Sequence, residues 1–437
     1  MLYNSTRGDR TAYTFKEAVM TGLAPDGGLL MPEAFPDVRD RLGAWAALPY
    51  RELAFEIMSL YADDFAPVEL RGIIAESYAV FRHPEIAPVV QTGPVAVCEL
   101  FHGPTLAFKD VALQFLGNCF GKILGEKGGE LNVVVATSGD TGSAAIHGLR
   151  GRDGIRVFVL FPEGRVSAAQ ESQMTTVADP NVFNIALEGT FDDAQAIVKT
   201  LFNDLPFKAA HHLGAVNSIN WARILAQIVY YFHAGLGEIR RTGAEKISFA
   251  VPTGNFGNIF AGYCAARMGL PVSKLVLATN ENDILARFFQ TGVYEKAEVV
   301  RTISPSMDIQ AASNFERWQS LKIGRPDPYI VAERADTAQT LATIGRFYSE
   351  FGYLADPHTA TGIHAALKHI ELGVPMICLA TAHPAKFPDA VYEATGGAVS
   401  ATAPQIEALK NLPARKTILP NSAAAVADFI AANCPVA

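Results

Sequence analysis

The stretch NVVVATSGDTGSAAIHGL (residues 132–149) sets the fold class: a short run of β-branched residues, a turn of small and hydroxylated residues, then apolar residues at helical spacing. A strand that is apolar at every position must be covered on both faces, which is the condition of a parallel sheet flanked by helices. The same order returns in KISFAVPTGNFGNIFAGYCAARMG (residues 246–269). Working outward from these two, further apolar runs occur at 155–161, 274–278 and 376–380. Together with 132–136 and 247–251 they predict strands alternating with helices, an α/β chain with a largely parallel sheet. The first ninety or so residues, rich in helix formers and punctuated by APDGG (24–28) and prolines, read as a helical N-terminal piece. The Ala-rich tail after Asn421 predicts a terminal helix without chemistry, and no internal repeat is present.

A chain of 437 residues exceeds what one hydrophobic core usually serves, so two or three domains sharing clefts are expected. Its 49% hydrophobic and 18% charged composition excludes a disordered chain. A net charge of −8 without clustered Lys and Arg speaks against nucleic acid as a partner. The five cysteines (Cys98, Cys119, Cys264, Cys378, Cys434) are widely separated and form no C-x-x-C pair, which predicts reduced thiols, no disulfide frame and no metal site. MLYNSTRGDR at the start lacks a signal-peptide core, and no run approaches the roughly 18 apolar residues that span a bilayer. A soluble cytoplasmic protein with no membrane partner is the expectation.

In HGPTLAFKDVALQFLGNCFGKIL (102–124), Ala112, Phe115, Leu116, Cys119, Phe120 and Ile123 repeat at helical spacing, which places Lys109 and Asp110 near a helix N-terminus. The positive end of the helix dipole disfavours an ammonium there and so favours the neutral amine that attacks an aldehyde. A surface lysine turned away from the helix end is the plainer alternative. In Thr137-Ser138-Gly139-Asp140-Thr141-Gly142, hydroxyls and free N–H groups at a helix start suit a carboxylate or phosphate, or serve only as caps. Gly254 and Gly257 bracket Asn255 and Phe256 and leave Asn258 at the next helix start, a second anion cradle or a packing turn. Neither a G-x-G-x-x-G fingerprint nor a P-loop occurs, so a mononucleotide-like or cofactor monophosphate is the natural guest. In AVNSINWARILAQ (215–227), Asn217, Ser218 and Asn220 precede Arg223 and suit a tetrahedral anion, unless Arg223 is structural. VPMICLATAHPAKF (374–387) delivers Thr381 and His383 to the carboxyl end of a strand, where open α/β sheets bind ligands.

Taken together, YNSTRG (3–8), DGGLLMPE (26–33), HGPTLAFKD, ATSGDTG, GNFGN, SPSMDIQAASNFERW (304–318), DPHT (356–359) and ATAHPAKF resemble the threonine synthases over nearly the whole chain. That family lies within the tryptophan-synthase-β-like (fold type II) pyridoxal-phosphate enzymes, and the long N-terminal portion and SPSMDI point to its bacterial and fungal branch. The resemblance implies two open, mostly parallel sheet domains flanked by helices plus a helical N-terminal domain. It divides the chain into an N-terminal domain (1–92), a large cofactor-binding domain (93–125 and 226–437) and a smaller α/β domain (126–225). Pyridoxal 5'-phosphate is implied as cofactor, bound through Lys109, with its phosphate on Gly254, Asn255, Phe256, Gly257 and Asn258, and with Thr381 facing the ring nitrogen. Thr137, Ser138, Asp140 and Thr141 are implied to grip the substrate carboxylate, and Asn217, Ser218 and Arg223 its phosphate. Relatives often carry Pro where Trp221 stands. Asp308, Asn314, Asp356 and Lys386 receive no role, although His102 and Lys386 are expected near the phosphate.

The implied reaction is conversion of O-phospho-L-homoserine and water to L-threonine and phosphate by γ-elimination and β-replacement, the last step of threonine biosynthesis. Lys109 would act as the base, and a hydroxyl at Thr381 would leave the ring nitrogen unprotonated. The alternatives are a related lyase or β-replacement enzyme, such as a threonine dehydratase or cysteine synthase, and an inactive relative that binds phosphorylated ligands. A monomer is expected, with a homodimer as the alternative.

Overall fold

The structure, a computed structural model, describes residues 1–323 and 327–434. Strands β1 (Tyr3–Ser5) and β2 (Leu30–Pro32) form an antiparallel pair inside a region otherwise built of helices, chiefly Phe15–Thr21, Tyr50–Met58 and Pro67–Ala79. The helical reading of this region therefore misses one hairpin-like ladder, whose three-residue strands are too short to show a period of two. The chain then enters β3 (Val89–Thr92) and β4 (Val95–Glu99), followed by β5 (Leu131–Ala136), β6 (Ile155–Pro162), β7 (Val182–Glu188) and β8 (Leu213–Gly214). Strands β9 (Ile247–Pro252), β10 (Val272–Thr279), β11 (Ile330–Arg334), β12 (Met376–Ala380) and β13 (Thr417–Pro420) complete the set among the described residues.

These strands form a six-stranded sheet of order β11-β10-β9-β12-β4-β3 and a five-stranded sheet of order β13-β7-β6-β5-β8. All neighbours pair in parallel except β3 with β4. The five apolar runs read from the sequence all lie within strands, and alternate residues divide between faces as the pleat requires. In β12, Ile377 and Leu379 point into the main core while Met376, Cys378 and Ala380 face the helices Thr337–Phe351 and Pro357–Leu367. In β6, Val157, Val159 and Phe161 face the main core while Phe158 and Leu160 meet the helices Phe191–Asn203 and Ala423–Asn433. One continuous core thus joins the inner faces of both sheets, with the helices Lys109–Lys127 and Trp221–Thr242 running through it. All five cysteines are buried and free.

The sheets divide the chain differently from the sequence-based boundaries in three places. Strand β3, within residues 1–92, is an edge of the six-stranded sheet. A boundary at 225 would cut the continuous helix Trp221–Thr242. Strand β13 pairs with β7, and the terminal helix contributes Val426 and Ile430 to the core beneath the five-stranded sheet, so the end of the chain packs with the small sheet rather than the large one. A four-residue edge strand with alternating exposure carries too little periodicity to be assigned to either sheet in advance.

The helix Lys109–Lys127 crosses the helix Asp140–Leu149 with backbones in contact. A Cβ on Gly117 would lie 2.0 Å from the Gly148 carbonyl oxygen, and one on Gly148 would lie 2.5 Å from that of Leu113. Neither obstacle is a flexible side chain, so the two helices would have to separate. Gly148→Ala is expected to destabilise the protein by about 1–3 kcal/mol through this overpacking. Gly125→Ala on the same helix as Gly117 meets nothing within 4 Å and should be neutral or stabilising by up to about 1 kcal/mol. Urea unfolding of both variants checks the contrast.

Candidate active site

Lys109 is the first residue of its helix, and the backbone before it is fastened to the end of β12. The Phe108 N–H donates to the Thr381 carbonyl (2.8 Å), the His383 N–H donates to the Leu106 carbonyl (3.0 Å), and Ala107 bridges Ala382. Behind Lys109, the Asp110 carboxyl accepts the Thr105 N–H and hydroxyl, each at 2.7 Å, and folds residues 103–107 into a tight loop. Burial pushes the Asp110 pKa up to about 6, against the pull of those Thr105 donors.

Lys109 is 9% exposed, so the plainer reading of a surface lysine does not apply. Its Nζ lies 3.4 Å from Asp140 Oδ2 and 3.3 Å from Ser306 Oγ. Burial lowers the pKa of this amine from the ordinary lysine value; Asp140 opposes the shift, while Lys386 and Arg223 reinforce it. Asp140 starts the helix after β5, and its other oxygen, Oδ1, accepts from Gln170 Nε2 (2.9 Å) and pairs with Lys386 Nζ (2.8 Å). Burial alone would raise the Asp140 pKa, but Lys386 and Lys109 hold it well below the carboxylate range. The expectation that the Asp140 side chain helps grip a substrate carboxylate meets a physical objection here. Both of its oxygens are taken by donors, and a second carboxylate would be repelled.

The rest of that loop is arranged differently. The Thr137 hydroxyl is turned inward and accepts the N–H groups of Gly139 and Gly142, both at 2.9 Å, so it shapes the loop from within. Ser138 and Thr141 are half-buried, and no side chain caps the first turn of the helix. The loop offers backbone donors and two hydroxyls to an anion, with Thr137 as its internal brace.

The 254–258 turn lies on the far side of Ser306. A Cβ on Gly254 would come within 2.6 Å of the Ser306 carbonyl oxygen, so only glycine lets these backbones approach. Phe256 sits at φ +64°, a region that non-glycine residues enter only when held there. Its buried ring is held against Phe315 (5.2 Å) and Phe289 (6.3 Å). No side chain caps the helix Gly257–Arg267, whose first N–H groups are left for another acceptor. The Asn258 side chain faces the protein, its Oδ1 accepting from Tyr230 (2.5 Å) and Tyr231 (3.0 Å) hydroxyls, so Asn258 brings its backbone N–H to the turn. Asn255 is exposed, and its Oδ1 accepts from Ser313 Oγ (3.3 Å).

Arg223, in the first turn of the helix Trp221–Thr242, is 3% exposed and donates from Nη1 to the Val216 carbonyl (3.1 Å). Its Nε has no partner, and among the described residues no carboxylate pairs with it. Burial lowers its pKa to about 10. Ser218 Oγ meets Ser313 Oγ (3.1 Å), whereas Asn217 is exposed on the turn, so these two are not gathered with Arg223 into one hydrogen-bonded set. Trp221 is buried against Tyr3 and Tyr61, which anchors this helix start to the N-terminal region.

Four participants, Ser306, His358, Gln170 and Gln173, receive no role in the sequence reading. Ser306 bridges Lys109 to Asp140 (3.2 Å), and its N–H donates to His358 Nε2 (3.1 Å). His358 is oriented by Asp356 Oδ2 at 2.7 Å from Nδ1. Gln170 reaches Asp140 and Gln173 reaches Thr105. Gln170 carries a signal only as the third residue of a capping box with Ser167, which says nothing of its amide end. Lys386 is fully buried on Asp140, Thr105 O (2.8 Å) and Gln173 Oε1 (3.0 Å). Contrary to the expectation from the sequence, these contacts spend its donors on protein groups instead of leaving them for a phosphate. His102, also expected near the phosphate, pairs with Glu99 at 2.8 Å. Asp308 accepts from Thr302, Asn280 and Asn282 and braces its own loop, while Asn314 donates to the Ser218 carbonyl (3.1 Å).

The arrangement suits a phosphorylated aldehyde: a buried amine with depressed basicity, an uncapped helix start across Ser306 from it, and a buried guanidinium that, among the described residues, has no carboxylate partner. Comparison with known proteins agrees. Family models described as threonine synthase N terminus, pyridoxal-phosphate dependent enzyme, and threonine synthase C-terminal match residues 2–78, 80–375 and 359–430. Threonine synthase of Schizosaccharomyces pombe is 46% identical over 89% of this chain and 88% of its own. That of Pseudomonas aeruginosa is 46% identical over 98% of both. The crystal structure of PLP-bound threonine synthase from Brucella melitensis superposes with a TM-score of 0.93 at 43% identity, covering 100% of each chain. The chain belongs to the threonine synthase family of pyridoxal-phosphate-dependent enzymes.

Proposed function

We propose that this chain converts O-phospho-L-homoserine and water to L-threonine and inorganic phosphate, with Lys109 as the residue that carries pyridoxal 5'-phosphate. The observation that supports it best is the Lys109 amine, buried, depressed in basicity and linked through Ser306 to the turn at an uncapped helix start. When bound, the cofactor supplies an electron sink for carbanion chemistry. Everything else falls to the residues of the chain. The N–H groups of residues 254–258 would hold the cofactor phosphate, and the Thr381 hydroxyl, at the end of β12, would face the ring nitrogen. The hydroxyls of Ser138 and Thr141, with backbone donors braced by Thr137, would hold the substrate carboxylate. Lys109 would serve as the base that takes the proton from the substrate α-carbon.

Arg223 is the group fitted to the substrate phosphate, with Ser218 and Asn217 on the turn before it. A buried guanidinium with a free Nε is expensive unless an anion completes it, and charge that builds on the departing phosphate would do so. A dehydratase or cysteine synthase substrate has no γ-phosphate, so the unpaired Arg223 favours the phosphohomoserine reading over those alternatives. An inactive ligand-binding relative would have no need of a depressed lysine. We read the enzyme as a cytoplasmic monomer, with a homodimer as the alternative; among the described residues no helix is long and apolar enough to cross a membrane.

Phosphate release from O-phosphohomoserine, followed with wild type and Lys109→Ala, tests the proposal. Wild type should release phosphate and threonine in equal amounts, and the variant should do neither; ketoacid from serine or threonine as the main product would replace this reading with a dehydratase. Arg223→Ala is expected to raise the substrate concentration for half-maximal rate by roughly tenfold or more, the worth of one charge-assisted hydrogen bond. Unchanged kinetics in that variant would remove Arg223 from the site.

A further inference from the structure

The Asp140 carboxylate is shared by two lysines that come from different parts of the chain. Lys109 Nζ is 3.4 Å from Oδ2, and Lys386 Nζ is 2.8 Å from Oδ1. Lys386 is fully buried and held in place by the Thr105 carbonyl and Gln173 Oε1, so it makes the closer contact and cannot swing away. The charged and hydrogen-bonding groups that face Lys109 are few. The helix after β5 offers Asp140, the short turn Pro384–Lys386 offers Lys386, the helix Trp221–Thr242 offers Arg223, and the turn Pro305–Met307 offers the Ser306 hydroxyl backed by His358. Asp110 on its own helix is turned to Thr105. Among the described residues Asp140 is therefore the one carboxylate in contact with Lys109, and Lys386 already occupies it. With one anion between two lysines, and Arg223 adding a third positive charge, two positive charges are in excess. The group that yields its proton most easily is the one with the longer contact, which is Lys109.

We propose that Lys386 is a positioning residue for Lys109: its fixed charge occupies Asp140, and this leaves the Lys109 amine free to be neutral and to bond an aldehyde. In that bonding step the nitrogen lone pair attacks the aldehyde carbon, and the carbonyl oxygen leaves as water with the two amine hydrogens, so an ammonium cannot start it. Without Lys386, Asp140 would have only Lys109 as a cationic partner, and the Lys109/Asp140 pair would keep its proton to higher pH. The direction found for Lys109, lowered by burial with Lys386 acting in the same sense, agrees with this arrangement.

This inference rests on Lys109 being the residue that takes up the cofactor, and the experiment separates the two. Full-length protein stripped of cofactor is mixed with pyridoxal 5'-phosphate from about pH 6 to 10 and trapped with borohydride, and the adduct is located and timed by peptide mass. Lys386→Gln, which keeps hydrogen bonding but drops the charge, should move the midpoint of the capture-rate profile up by roughly one pH unit. Lys386→Arg should keep the wild-type midpoint, and Asp140→Asn should lower it. Because Lys386→Gln leaves a buried carboxylate less well paired, thermal unfolding is measured alongside. Should that variant not fold, Asp140→Asn and Asp140→Asn/Lys386→Gln carry the test, since losing the Lys386 charge should raise the double variant's midpoint above the single's. A folded Lys386→Gln with the wild-type midpoint, or equal midpoints in the single and double variants that carry Asp140→Asn, overturns the proposal. Absence of any adduct on Lys109 in the wild type would instead overturn the assignment of the cofactor lysine.

Discussion

The site is organised by one buried carboxylate. Asp140 enters from the five-stranded sheet and meets Lys109 and Lys386 from the six-stranded side, with Gln170 and Ser306 closing its remaining lone pairs. A carboxylate this deep costs several kcal/mol to desolvate and stays ionised only if its partners are charged and fixed. Each of its neighbours is in turn oriented by a backbone contact: Lys386 by the Thr105 carbonyl, Ser306 by the bond from its N–H to His358, and Lys109 by the pairing of residues 106–108 with the end of β12. The Lys109 amine is thus joined to a short ionic chain spanning both sheets, and its position is set by a piece of backbone ladder.

The N-terminal region contributes by support. Tyr3 and Tyr61 close over Trp221, the Tyr3 hydroxyl donates to the Tyr61 carbonyl at 2.8 Å, and Asn220 donates to the Val19 carbonyl at 2.8 Å. These contacts fix the start of the helix that carries Arg223. A guanidinium can be kept buried and partly unpaired only where its helix cannot move to relieve it.

The strands were legible because a strand covered on both faces must be apolar at every position, and β5, β6, β9, β10 and β12 are largely so. The turns at 137–142 and 254–258 were legible as strand-to-helix turns because glycine and short hydroxylated residues mark helix starts. What escaped was whatever depends on a partner distant in sequence. Nothing local to Lys386 or Gln173 says that they meet across a cleft, and the Asp140 side chain, read by its loop, answers instead to Lys109 and Lys386. Strand β13 escaped for the same reason, since an edge strand of four half-exposed residues is defined by the neighbour it finds.

That last strand also bears on how the protein is made. The five-stranded sheet is begun by residues 131–136 and completed by β13 and the helix Ala423–Asn433, far along the chain. A ribosome must therefore release more than four hundred residues before that sheet acquires its outer edge and the cover over Phe158 and Leu160. During synthesis the incomplete sheet exposes apolar surface and an unpaired β7 edge to solvent or a chaperone. A chain cut short before residue 417 would lack the strand that covers the β7 edge of the sheet from which Asp140 enters.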